Sequence, residues 1–67
     1  MTSFYVNMDK VCELTQEKLW TIAELTRNAG VSLPTYYLVR KKRKASGLTV
    51  RKLAAALDVS PAEIIEK

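Results

Sequence analysis

In 67 residues the chain has no histidine, one cysteine, two glycines and two prolines, and each shortage removes a class of function. Without histidine there is no imidazole to act as a general base or to ligate zinc. The lone thiol, Cys12, cannot close an internal disulfide and has no second cysteine with which to hold a metal, so it reads as a small helical residue. No glycine-rich loop is present to cradle phosphate. The longest aliphatic run, Leu53–Leu57, is far too short to cross a bilayer. No basic region leads into an apolar stretch near the start, so neither a signal peptide nor a membrane span is expected, and the expected location is cytoplasmic. A domain this small leaves little room for a water-excluding pocket, and its acids are scattered. The chain therefore reads as a non-enzyme with no cofactor and no metal.

Acid is also missing from one long segment. Residues 1–30 carry Lys10, Lys18 and Arg27 against Asp9, Glu13, Glu17 and Glu24, a balance of −1. Residues 31–52 carry Arg40, Lys41, Lys42, Arg43, Lys44, Arg51 and Lys52 with no acid at all, a balance of +7. Residues 53–67 carry Lys67 against Asp58, Glu63 and Glu66, a balance of −2. A solvated face usually mixes both signs, whereas segregation of this kind is the electrostatic footprint of a polyanion-binding surface. The run Arg40–Lys44 is the candidate phosphate contact.

The periodicity gives helices only. Asn7 or Asp9 can cap a first helix reaching about Lys18, with Val11 and Leu14 on its apolar stripe. Thr21 and Glu24 have capping-box spacing, and the helix they open ends at Ala29, because Gly30 supplies the left-handed residue that stops a helix without steric penalty. Ser32 caps a third helix with Pro34 in its first turn, and Tyr36 and Val39 form its core side. Residues 45–48 read as a loop, and Thr49 as the cap of a fourth helix that runs to Leu57. Ser60, Pro61 and Glu63 are expected to open a fifth helix through Ile64 and Ile65.

Four of these starts carry a hydrophobic staple, in which the residue before the cap packs on the fourth helical residue: Trp20 with Leu25, Val31 with Tyr36, Leu48 with Leu53, and Val59 with Ile64. The staples expose an internal repeat. Thr21, Leu25, Gly30, Val31 and Ser32 return twenty-eight positions later as Thr49, Leu53, Asp58, Val59 and Ser60. Both halves read as helix, tight turn, helix, the pattern whose second helix enters a DNA major groove. Charge assigns DNA contact to the first half, since the second ends among Glu63 and Glu66.

These five segments, with AELTRNAGVSLPT across helices two and three and KLAAALDVSPAEII across helices four and five, resemble the lambda-repressor-like Cro/XRE helix-turn-helix family over about residues 8–66. The paired GVS and DVSPAEI turns are the most specific part. The resemblance implies an all-α, compact five-helix domain over residues 8–67, preceded by an arm of residues 1–7. It implies a phage- or bacterial-type transcriptional regulator, such as a repressor, that binds double-stranded DNA through helix three, about Leu33–Lys42. It further implies phosphate contact at Thr21 and Ile22 and base reading from Leu33, Pro34, Thr35, Tyr37 and Leu38. With Ser32 and the cations Arg40, Lys41, Lys42, Arg43 and Lys44, these complete the candidate set.

Members of that family usually pair, and the surfaces available for a homodimer are helix five, with its adjacent Ile64 and Ile65, or the arm segment Phe4-Tyr5-Val6. The chain also departs from the family pattern. Where helix three usually carries polar forks, it has leucine, proline and leucine. Ile22 stands where glutamine is common, and Thr15 and Arg40 stand where an arginine–glutamate pair is frequent, which leaves Arg40 free for phosphate. The alternative reading is a protein-interaction module, or a mobile-element recombination accessory protein, that uses the same helix surface.

Overall fold

The computed structural model describes residues 3–66. Met1, Thr2 and Lys67, the ends of the expected arm and domain, lie outside the described residues. The element order is β1 (Ser3–Tyr5), α1 (Met8–Glu17), α2 (Ile22–Ala29), α3 (Leu33–Lys42), β2 (Lys44–Ser46), α4 (Gly47–Ala56) and a single 3₁₀ turn, Pro61–Glu63.

The helices start and stop largely where the side chains dictate. Asn7, not Asp9, caps α1, its Oδ1 accepting from the Lys10 N–H at 3.1 Å. Three helix ends share one device. The amide of a left-handed residue donates three residues back, and the next amide donates five back: Leu19 and Trp20 after α1, Gly30 and Val31 after α2, Asp58 and Val59 after α4. The core gathers Val6, Val11, Leu25, Tyr36, Val39, Val50, Leu53, Leu57 and Ile64, so all four helices contribute, together with the residues that directly follow β1 and the last turn.

The expected all-α, five-helix fold needs two corrections. The first is a small antiparallel sheet. β1 pairs with β2 in the register Ser3↔Ser46, Phe4↔Ala45, Tyr5↔Lys44. Along the arm Val6 is buried while Ser3, Phe4 and Tyr5 stay exposed, and its aromatic and β-branched residues suit a pleated surface. Residues 45–48 are therefore not a loop. Ser46 caps α4 in place of Thr49, its Oγ accepting from the Thr49 N–H at 3.3 Å. The residues at that cap's staple positions, Ala45 and Val50, are both buried, while Leu48, expected to pack on Leu53, is 54% exposed.

The second correction is the missing fifth helix. Ser60 Oγ accepts from the Ala62 amide, so no capping box forms with Glu63, and the amides of Glu63 and Ile64 donate three residues back, as in a 3₁₀ turn. The backbone that would have prolonged a helix goes to the arm. Asn7 N–H donates to Ile64 O at 2.8 Å, Glu66 N–H donates to Tyr5 O at 2.9 Å, and Val6 bridges Ile65. A helix of so few residues is marginal, and Ile64-Ile65 favours extended backbone. Both expected dimer surfaces change with it. Ile64 and Val6 are fully buried, whereas Phe4 and Tyr5, paired with β2, stay exposed.

Candidate nucleic-acid interface

The first helix-turn-helix unit is assembled from local chemistry. The capping box of α2 is complete, with Glu24 N–H donating to Thr21 Oγ1 at 3.2 Å and Thr21 N–H donating to Glu24 Oε1 at 3.0 Å. Gly30, at φ +73°, turns the chain, and Val31 N–H donates to Thr26 O. Ser32 then caps α3, its Oγ accepting from the Thr35 N–H at 3.3 Å and donating to Thr35 Oγ1 at 2.7 Å. Thr21 and Ser32 are thus exposed but engaged, and Thr35, half-buried, accepts the Ser32 hydroxyl at its Oγ1.

The 3.6-residue period splits α3 in two. Tyr36 and Val39 face the core, with 2% and 4% exposure. Pro34, Tyr37, Leu38 and Lys41 stand at i, i+3, i+4 and i+7 along the opposite ridge, with Leu33 beside them, and all are exposed. The Tyr37 ring is braced edge-on against Tyr36, with centroids 6.0 Å apart. Burial pushes the Tyr36 hydroxyl above its ordinary pKa, and the neighbouring Cys12 thiol adds to this while Arg40 opposes it. That phenol is held neutral.

The cations follow directly. Arg40, Lys41 and Lys42 close the last turn of α3, where positive charge also complements the helix dipole. Arg43 lies in the left-handed region, φ +57°, and carries the chain into β2 while its carbonyl accepts from the Val6 amide. Lys44 places its Nζ over the Tyr5 ring, 4.9 Å from the centroid. No acid lies in α3, β2 or α4. Among the described residues none of these five cations forms an ion pair; the pair present joins Lys18 to Asp58 at 2.9 Å.

Arg40 also joins two candidate groups that are far apart in sequence. With Cys12, Thr15, Trp20, Thr21, Ile22 and Tyr36 it lines a cleft of about 290 Å³ where α1, the start of α2 and α3 meet. Thr15 is buried and donates its hydroxyl to Val11 O at 2.7 Å, so Arg40 has no ionic partner there. All thirteen candidate residues lie on or beside the two helices and the following strand. Sequence reasoning missed Tyr5, because only the long-range pairing of the arm brings it under Lys44. It also missed the left-handed turn at Arg43, which no glycine announces.

The family model for the Cro/C1-type HTH DNA-binding domain matches residues 10–66. No curated protein and no solved structure matches the chain. Among the described residues no helix is long and apolar enough to cross a membrane.

Proposed function

The chain belongs to the Cro/C1-type HTH DNA-binding domain family, and from that premise we propose that it is a transcriptional regulator that lays the outward ridge of α3 in the major groove of operator DNA. Arg40, Lys41, Lys42, Arg43 and Lys44 contact phosphate along one side of that groove, and Thr21 and Ser32 border it from the starts of α2 and α3. The observation that carries the reading is the set of five cations at the end of α3, unpaired among the described residues and contiguous with its exposed ridge. A polyanion is the partner that accounts for excluding every acid from residues 31–52.

The test is a salt series. Replacing Lys41, Lys42 and Arg43 together with alanine weakens binding to all duplex sequences about equally, and it lowers the slope of log affinity against log salt by roughly 0.9 for each phosphate no longer neutralised. Unchanged affinity and slope overturn the reading. A protein-interaction module using the exposed Leu33, Tyr37 and Leu38 gives binding that salt hardly alters, and it leaves the acid-free segment unexplained.

A further inference from the structure

The ridge of α3 is short of the groups that read base edges by hydrogen bonding. Base readout normally relies on the forks of arginine, asparagine and glutamine, which pair with two atoms of one base. Here the outward positions are Leu33, Pro34, Tyr37, Leu38 and Lys41, while Thr35 is half-buried beside the ridge, its Oγ1 accepting from Ser32 at 2.7 Å. Leu33 is 40% exposed and Leu38 is 54% exposed, so two aliphatic side chains stand in water on the face proposed to meet DNA. With Pro34 and Tyr37 between them they make one contiguous apolar ridge, and a contiguous exposed apolar patch is what marks a contact site.

We infer that this ridge selects thymine, reading its C5-methyl group by apolar contact. The inference rests on the DNA reading above and specifies what that surface takes. In the major groove the thymine methyl is the largest apolar feature any base presents, since cytosine shows only a C5 hydrogen there and the remaining edge atoms are donors and acceptors. Leucine against a methyl removes two apolar surfaces from water. Leucine against a G·C edge strips water from O6, N7 or N4 and returns no hydrogen bond, which costs free energy. Attraction and exclusion therefore point to the same base. Helical rise puts Leu33 and Pro34 about 6 Å along the axis from Tyr37 and Leu38, and base pairs step about 3.4 Å along each strand, so the ridge addresses thymines roughly two steps apart.

Thymine and uracil differ only by that methyl, which isolates the contact. Binding of the whole chain is measured to alternating dA·dT duplex, to the same duplex with uracil in place of thymine, and to alternating dG·dC duplex, at two salt concentrations. Burial of one methyl is worth about fourfold in affinity, so the uracil duplex binds about fourfold more weakly for each methyl contacted. The variant carrying Leu33→Ala and Leu38→Ala loses most of that ratio and keeps its salt slope, because both side chains are exposed and neither is cationic. Equal binding of thymine and uracil duplexes with a steep salt slope overturns the inference and leaves the DNA reading standing. A thymine–uracil ratio that persists in the double variant also overturns it, since groove shape then carries the preference. Absence of salt-dependent binding to any duplex overturns both.

Discussion

The two helix-turn units begin alike and end differently. In each, a helix stops at a left-handed residue, Gly30 or Asp58, with the same pair of backward amide bonds, and a serine cap with a nearby proline follows. After that turn the first unit builds the ten residues of α3, whereas the second makes a three-residue 3₁₀ turn and gives its backbone to the arm. The turn chemistry fixes where a helix stops and does not fix what comes next. What comes next depends on the neighbour. Residues 33–42 keep their backbone bonds to themselves and expose a side, while residues 64–66 meet the strand end around Tyr5–Asn7 and pair with it. One unit is left free to present a surface, and the other is spent closing the core.

A core position in the second unit set against an outward position in the first separates the two roles most sharply, and it gives the largest expected effect. Ile64 is fully buried where the arm, α4 and the last turn meet. Ile64→Ala leaves a cavity and costs about 2–5 kcal/mol, enough to unfold much of a domain this small. Leu38→Ala, on the outward ridge of the other unit, changes stability by no more than about 0.5 kcal/mol. Urea titrations followed by circular dichroism measure both. Comparable losses at the two positions would mean that α3 is sealed into the core after all.

Much of this was legible in the sequence, and the boundary is physical. Interactions confined to four or five residues could be read from residue type: the Thr21–Glu24 box, the Gly30 stop, the Ser32 cap, and the Tyr36 and Val39 side of α3. The charge segregation that nominates Arg40–Lys44 is likewise a one-dimensional property. What escaped depends on residues some forty to sixty positions apart. Nothing near Ser3–Tyr5 announces a partner at Lys44–Ser46, and nothing near Ile64 announces the Asn7 amide. Those two pairings removed the fifth helix, moved the cap of α4 from Thr49 to Ser46, and set Tyr5 beneath Lys44.

The left-handed positions test the shared part of the comparison, at a smaller scale. A methyl group added at Gly30 would meet nothing within 4 Å, so the cost of Gly30→Ala is backbone conformation alone. A left-handed non-glycine residue costs roughly 1–2 kcal/mol, offset in part by a stiffer unfolded chain, which leaves a net loss of about 1 kcal/mol. Asp58→Gly relieves the same conformation but loses the surface ion pair to Lys18, and pairs of that kind contribute about 0–1 kcal/mol. The two terms oppose each other, so its melting temperature stays close to that of the parent. A clear loss in Asp58→Gly would show that the Lys18 contact, 2.9 Å long, holds the second unit in place.

The smallest effect appears only in alkali, at the residue that corresponds to Ile64 in the first unit. Tyr36 fills its staple position with a phenol whose pKa burial raises above the usual value near 10. The sign follows from proton binding. Below the unfolded pKa both states hold the proton and the contribution is complete. Above it the unfolded chain releases the proton first, so stability declines as pH rises towards the folded value. Tyr36→Phe keeps the ring and removes the titration, so its stability near neutral pH shifts by about 1 kcal/mol or less. Its alkaline decline is shallower than that of the parent, and because the remaining groups are common to both proteins, the difference between the two curves isolates this phenol. Thermal melts from neutral pH to above pH 10 give that difference directly. Parallel curves would mean that the hydroxyl reaches water, and that the first unit seals its staple less tightly than the second.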